Sequence, residues 1–435
     1  MTDAPAPATR QTPRFEQKRD MILDAAARLF HLHGLDGVTL SDVGAKVGLA
    51  TNSVTYYFRR KDNLVAACFA RAFSIFEALV AAAAAHPDME TRVRVFLRSY
   101  FQLLADIENG ARSEIVNFSN LAVVRGEVAE PVGAAYTALF RNVRALVSPE
   151  GEEAATRTQI NSRAHLLLAL SQWARVWLPR YETGCYVRAA DRVADVLLYG
   201  LAAPAFAGAG AALANAWAPA PHTRPEAADA ALSREAFLRA ATRLINAHGV
   251  HGVSVERISA SLNATKGAFY YHNADKQEMI SACFQRSFTV IREAQATAAG
   301  ATDGLTRLAR AAATLVRFQL SDAGPLLRIT ARTGLPASDA FAVLDAMNRL
   351  SERFASFVID GMIDGSIRPV DPTAASQMTQ GMINAAASAT RWAPGISQQN
   401  AVDYLLGPLL HGMCRTARRA PAAPACQRAT PQERC

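Results

Sequence analysis

An all-α protein made of two tandem units is the fold that this sequence predicts, on three observations. The first is composition. Half of the 435 residues are hydrophobic, only 19% are charged, and Ala is abundant. Ala gives up no side-chain entropy in a helix, so helix is the favoured element. The second is periodicity: apolar residues recur at helical spacing, while strand alternation and hairpin signals such as Asn-Gly between β-branched runs are scarce. The third is repetition. "RDMILDAAARLFHLHGLDGVTLSDVGAKVG" at 19–48 returns as "REAFLRAATRLINAHGVHGVSVERISASLN" at 234–263.

The repeat runs without a gap at an offset of 215. His33-Gly34 falls on His248-Gly249, Tyr56 on Tyr271, Lys61 on Lys276, Cys68-Phe69 on Cys283-Phe284 and Phe73 on Phe288. Each unit is about two hundred residues, a domain-sized length rather than a solenoid repeat. Identity fades after the first seventy residues of each copy, but helical periodicity continues. It predicts helices at roughly 89–107, 111–124, 127–147, 154–179 and 187–202, then 302–320, 323–333, 337–363, 371–391 and 398–417. The expected division is a three-helix domain at 15–62, a helical domain at 63–203, an Ala/Pro/Gly linker at 204–230, and the same pair at 231–277 and 278–418. Flexible tails are expected at 1–14 and 419–435. The charge-free run 196–221 is long enough to span a bilayer, yet Ala, Gly and Pro dominate it. It reads as a buried helix end followed by a linker, with no membrane partner. The N-terminus lacks the apolar core of a signal peptide, and a cytoplasmic location is expected.

The elements of the first unit follow in order. Ile22, Leu23, Ala26, Leu29 and Phe30 give an amphipathic helix ending at His33-Gly34, where Gly permits the left-handed turn that stops it. Gly37 allows a second bend. Thr39 caps a short helix, with Asp42 at its positive end and Val43 and Val47 on its inner face. Gly44 admits a close neighbour, and Gly48 makes the tight turn into a third helix at 51–57. Two short helices joined by a Gly-containing turn form a helix-turn-helix, which places its second helix in a DNA major groove. On that helix Val54 and Phe58 face inward. Thr39, Thr51, Asn52, Ser53, Thr55, Tyr56 and Tyr57 are left for the DNA side, the small polar ones suited to base edges. The tyrosine hydroxyls with Arg59, Arg60 and Lys61 suit phosphates, and Lys61 opens a helix whose amides favour an anion. The matching set in the second copy is Lys266, Gly267, Tyr270, Tyr271, His272 and Lys276. The formal net charge of +8 agrees with a polyanionic partner but does not by itself require one.

The stretch 19–64 resembles the DNA-binding domain of tetracycline-repressor (TetR) family regulators. In the first copy the resemblance rests on Gly48-Leu49-Ala50-Thr51-Asn52-Ser53-Val54-Thr55-Tyr56-Tyr57-Phe58 with Lys61. In the second it rests on Asn263-Ala264-Thr265-Lys266-Gly267-Ala268-Phe269-Tyr270-Tyr271-His272-Asn273 with Lys276. The first copy departs at Ala50, where a capping Ser is usual, and at Thr55. The second departs at Asn263, at Asn273 in place of the core aromatic, and at Ala274-Asp275 in place of the basic pair.

The resemblance implies a ligand-responsive transcriptional regulator, taken as a repressor, that binds a double-stranded DNA operator. Its two copies would pair with each other as a pseudo-dimer through the helices at 154–179 and 187–202 with those at 371–391 and 398–417. Their unlike reading helices imply an asymmetric operator. It also implies a pocket for a small-molecule effector of unknown identity in each C-terminal half, with Phe101, Asn117, Phe118, Tyr136, Trp173 and Trp177 as lining candidates. Each of these reads more readily as an ordinary core residue. One alternative keeps DNA reading in the first copy alone, with the second a sensor or oligomerisation module and two chains forming a homodimer. Another class is a helical ligand-binding or interaction protein without DNA binding. The sequence offers no paired carboxylates, Ser-His-Asp set, phosphate loop or metal-ligand spacing, so neither an enzyme nor a cofactor is expected. The six scattered cysteines read as reduced thiols, and His165, His222 and His411 as isolated side chains.

Overall fold

The structure, a computed structural model, describes residues 12–149, 155–206 and 233–414. Most of the expected linker, residues 1–11 of the first tail, the whole of the second tail, His222, Cys426 and Cys435 lie outside these residues. The first unit opens with α1 (Pro13–His33), α2 (Leu40–Lys46) and α3 (Thr51–Tyr57). It continues with α4 (Lys61–Ala84), α5 (Met89–Glu108), α6 (Ala129–Val147), α7 (Arg157–Trp177) and α8 (Tyr186–Tyr199). The second repeats the plan with α9 (Arg234–His248), α10 (Val255–Ser261), α11 (Lys266–His272), α12 (Lys276–Ala298), α13 (Gly304–Gln319) and α14 (Ala337–Asp364). It ends with α15 (Pro372–Ala386), the short α16 (Ala389–Trp392), a π turn at Val402–Leu406 and α17 (Gly407–His411). Among the described residues the sole β pairing is an isolated bridge between Ala202 and Ile367.

The two copies share contacts as well as sequence. Cys68 Sγ meets the Leu23 carbonyl, and Cys283 Sγ meets that of Leu238. Asp88 caps α5 through Thr91, as Asp303 caps α13 through Thr306. Arg92 donates to the His86 carbonyl, and Arg307 to that of Ala301. The 215-residue register therefore persists about twenty residues beyond the visible identity.

It then slips, and the expected helices at 111–124 and 323–333 do not form. Each stretch is extended and ends in a 3-10 turn, Phe118–Val123 and Ile329–Gly334. Distant side chains take the place of helical partners. The Glu114 and Phe118 amides donate to Asp24 Oδ1 and Gln172 Oε1, and those of Leu326, Leu327 and Arg328 to Gln319, Ser287 and Asn246. Of the last expected helix, 398–417, the described part up to 414 forms only the π turn and α17. Pro13 opens α1, capped by Thr12, inside the stretch read as a flexible arm.

The two units pack on each other along α7 and α8 of the first and α15 with the π turn and α17 of the second. Gly381 lets α7 approach, since a Cβ there would stand 2.8 Å from Leu170 and 3.0 Å from Trp173. Across this seam Trp173 Nε1 donates to Gln377 Oε1 at 3.1 Å, and His165 Nε2 lies 2.9 Å from the Ala385 carbonyl. At its end the chain segments after α8 and α17 cross where Gly200 and Gly412 touch backbone to backbone, and both have positive φ. Arg368 pairs with Asp195 at 2.6 Å, and Arg192 with Asp371. Helix α4, long and apolar enough to cross a membrane, instead packs Leu64, Phe69, Phe73 and Phe76 into the core between α5 and α6.

A second set of contacts ties the heads crosswise. Helix α1 packs on the 3-10 turn Ile329–Gly334 of the other unit, and α9 on Phe118–Val123. Arg125 reaches the Ala247 carbonyl at 2.8 Å, and His251 reaches the His33 carbonyl. His31 sits beneath this junction beside Glu114. Burial, then Arg175, Arg28 and Arg332, pushes its pKa down to about 3. Burial likewise lowers His165, His248 and His251.

The core of the second head absorbs the loss of an aromatic. Where the first has Ile22, Val54 and Phe58, the second has Phe237, Phe269 and Asn273, all buried. One ring is lost and two are gained, with Phe237 and Phe269 edge to face at 6.1 Å. The space that a truncated Phe would leave is taken up by its neighbours, and Asn273 keeps a long 3.4 Å hydrogen bond to the Phe269 carbonyl.

Restoring the ring with Asn273→Phe is expected to destabilise the protein by roughly 1–3 kcal/mol through overpacking, and adding Phe237→Ile and Phe269→Val to recover most of the loss. Urea denaturation of the single and triple variants decides this; a stabilised single variant contradicts it. The histidines give a pH dependence. Their folded pKa values lie below the unfolded value of about 6.5, so the unfolded state binds more protons as pH falls. Stability is complete above that value and declines from pH 7 toward pH 5, with roughly 2 kcal/mol expected from His31 alone. Equal stability at pH 7.5 and pH 5 contradicts this assignment.

Candidate nucleic-acid interface

The first helix-turn-helix is fixed by local chemistry. Thr39 and Asp42 form a capping box on α2, with the Asp42 amide 3.2 Å from Thr39 Oγ1 and the Thr39 amide 2.7 Å from Asp42 Oδ2. Gly44 touches the chain at Leu49 and Val54, so only a missing side chain allows α2 and α3 to meet. Gly48 turns at φ 67°. Ala50, at the N-cap of α3, supplies no side-chain cap.

Val54 and Phe58 are buried, as their spacing requires. Thr51, Asn52 and Ser53 are exposed on the first turn of α3, and Tyr56 is 74% exposed. Thr55 is half-buried, and its hydroxyl donates to the Thr51 carbonyl at 2.9 Å, which commits it to its own helix. Phe15 of α1 stacks on Tyr57 at 4.7 Å and meets the edge of Tyr56 at 6.1 Å. This clamp holds the tyrosine pair. It escaped the sequence reading because Phe15 lies ahead of the repeat and of the apolar helical pattern, which begin at Arg19 and Ile22. Arg59 is exposed. Arg60 pairs with Glu127 at 2.7 Å, a partner 67 residues away with no local signal in the sequence. Lys61 Nζ donates to the Asp36 carbonyl at 3.2 Å, bracing the loop between α1 and α2.

The second head keeps the geometry but not the charge. Asn263 takes φ 52° in the turn where the first head uses Gly48. Thr265 caps α11. Tyr271 is 85% exposed and Tyr270 is exposed, while His272 is half-buried with its ring 5.6 Å from Phe237. A Cβ on Gly267 would meet nothing closer than 3.6 Å, so the fold itself does not demand glycine there. Lys266 is paired with Glu256, whose pKa the lysine and Ser254 pull down to about 2. Lys276 is half-buried, and burial lowers its pKa. Asp275 caps α12, and Glu278 closes the same turn. From the cap of its first short helix to the start of the next long one, the first head carries four basic and two acidic residues over 39–64. The second carries three of each over 254–279.

The expected effector-lining residues divide. Asn117, Phe118, Tyr136 and Trp173 line a cavity of about 570 Å³ that opens between the two units, beneath the junction of the heads. Phe101 and Trp177 do not line it; they are core residues, edge to face at 6.4 Å. The expectation of one pocket within each half gives way to one large cavity walled by both. The sequence reading missed its second-unit wall, with Arg328, Arg332, Arg391 and Trp392. Among the described residues no group of His, Cys, Asp or Glu could hold a metal ion.

Comparison with known proteins agrees with this geometry. The family "Bacterial regulatory proteins, tetR family" matches twice, at residues 22–68 and 237–283. The Transposon Tn10 TetC protein of Escherichia coli is 31% identical over 74 residues, 17% of this chain and 38% of that protein, so the match spans well under half of the relative. Among solved structures, the TetR family transcriptional regulator PfmR from Thermus thermophilus aligns at 20% identity and TM-score 0.36, covering 41% of this chain and 99% of that one. AibR in complex with isovaleryl coenzyme A and operator DNA aligns at 21% identity and TM-score 0.34, covering 41% and 98%. The two matched segments coincide with the two three-helix heads built above. The chain carries, in tandem, two helix-turn-helix domains of the tetR family of bacterial regulatory proteins.

Proposed function

We propose that this protein is a DNA-binding transcriptional regulator, acting as a repressor, whose two units pair within one chain. The first head carries most of the duplex contact, and a small-molecule effector changes the binding. One observation supports this above the others. Thr51, Asn52, Ser53 and Tyr56 stand exposed on α3 close in sequence to the exposed Arg59 and the half-buried Lys61, with Tyr56 held at one edge by Phe15. Polar side chains on a helix that fits a major groove read base edges, and flanking cations fix the register on phosphates. The clamp of Phe15 on the tyrosine pair orders those hydroxyls before any DNA arrives, which lowers the entropy lost on binding.

The neutral second head supports an unequal division of labour. Its Lys266 already has a carboxylate partner, and Asp275 and Glu278 stand where the first head has Arg60 and Asn63. The same observation favours a second reading, in which the first head alone reads DNA and two chains share an operator.

Fluorescence anisotropy with duplex from the region upstream of the protein's own coding sequence tests the assignment. Arg59→Ala and Lys61→Ala are each expected to weaken binding to all sequences. Each should also reduce the slope of log K against log[salt] by about 0.9, the release of one phosphate's counterion. Asn52→Ala is expected to relax base preference at one or two positions, at a cost of about 1–3 kcal/mol on the preferred sequence. Lys266→Ala is expected to change the slope by less than half as much as Lys61→Ala, because Glu256 already neutralises it. Unaltered slopes in both Arg59→Ala and Lys61→Ala contradict the phosphate assignment. No binding to any duplex tested favours the helical interaction protein without DNA binding.

A further inference from the structure

The cavity between the units has a chemistry of its own. Its first-unit wall is mainly apolar, with Phe30, Leu104, Phe118, Tyr136 and Trp173. Its second-unit wall brings three guanidinium groups, Arg328, Arg332 and Arg391. None of the three makes an ion pair among the described residues. Arg328 has one long contact, 3.4 Å to the Asn246 carbonyl, and Arg391 lies over the Trp392 ring at 5.1 Å. The other arginine in the wall, Arg175, is already matched by Glu114. Asp36 and Glu108 are solvent-exposed at the rim. His31 also lines the cavity, and its buried Nε2 has no hydrogen-bond partner among the described residues.

Arg328 and Arg332 are half-buried and Arg391 is exposed; holding the first two without a counter-charge beside a largely apolar space is unfavourable unless an anion offsets them. A buried polar nitrogen without a partner calls for a ligand atom in the same way. The volume, about 570 Å³, lies in the range of small-molecule sites.

We propose that this cavity binds a single amphipathic organic anion per chain. Its carboxylate or phosphate head meets Arg328, Arg332 and Arg391, and its apolar tail lies against Phe118, Tyr136 and Trp173. The proposal deepens the effector part of the function given above and rests on it for its consequence. Arg328 and Arg332 lie at and within the 3-10 turn on which α1 of the first head packs, and the Arg328 amide is held by Asn246 of the second. A ligand that draws these arginines inward therefore acts on the placement of both heads at once. Because the three arginines without an ion-pair partner come from the second unit and most of the apolar wall from the first, neither unit provides the site alone.

Isothermal titration calorimetry on the full chain, without DNA, tests the site with octanoate, octyl phosphate and octan-1-ol as probes. At least one of the two anions is expected to bind with one site per chain, at least about tenfold more tightly than the alcohol. The better anion identifies the head group. In the double variant Arg332→Gln, Arg391→Gln the anion is expected to lose at least about tenfold in affinity while the alcohol changes by less than twofold. The alcohol thus reports that the cavity is intact. Arg391→Gln alone, at an exposed position, serves should the double variant misfold, with the same direction of change. Equal affinity for anion and alcohol, no binding of either anion, two sites per chain, or an anion indifferent to the variants overturns the proposal. Since no duplex is present, these results stand apart from the DNA-binding reading, and failure on either side leaves the other measurable.

Discussion

The crosswise packing of the two heads is the constraint on which the rest of the structure depends. Each head's first helix rests on a 3-10 turn supplied by the opposite unit, and Arg125 and His251 close the junction with backbone carbonyls of the other head. Below it, α7 and α8 meet α15 and α17 along a seam that includes two mutually touching glycines. A side chain at Gly200 or Gly412 would separate two backbones. Close packing of this kind allows few arrangements, so the orientation of α3 relative to α11 is set by the body and not by the segment that links the units.

Covalent duplication removes the symmetry requirement that identical subunits impose. Here the two heads have diverged in opposite ways while keeping one fold. The first retains Phe58, the tyrosine clamp and a positive margin. The second has moved its aromatic volume to Phe237 and Phe269, left Asn273 in the old ring position, and balanced its charges through Glu256, Asp275 and Glu278. Under the function proposed above, an unequal pair of heads suits an asymmetric operator. The shared cavity fits the same logic, because its two walls come from sequences free to specialise.

Much of this was legible before any coordinates. The ungapped repeat located both heads. The glycine corners followed from local conformational need, and so did Asn263 at φ 52°. Four-residue spacing placed Val54 and Phe58 inside. What stayed hidden depended on partners far away in sequence. The stretches at 111–124 and 323–333 have helical composition, but Asp24, Gln172, Asn246, Ser287 and Gln319 claim their amides. Arg60 reads as a phosphate ligand until Glu127, on a loop 67 residues later, comes beside it. The volume exchange behind Asn273 was foreseeable only as a possibility, because periodicity shows which residues are buried but not which of them share a space. Arg328, Arg332 and Arg391 carry no motif; all three come from the second unit, and they face an apolar wall only when the first unit packs against it.

The central claim is that one polypeptide is the whole regulator, its two units serving each other as partners. Sedimentation velocity on the free protein and on its complex with operator duplex, at micromolar concentration, tests this most directly. The account predicts a single chain in solution and a single chain on each duplex. A free protein that is a dimer of chains, with two chains on each duplex, would contradict it.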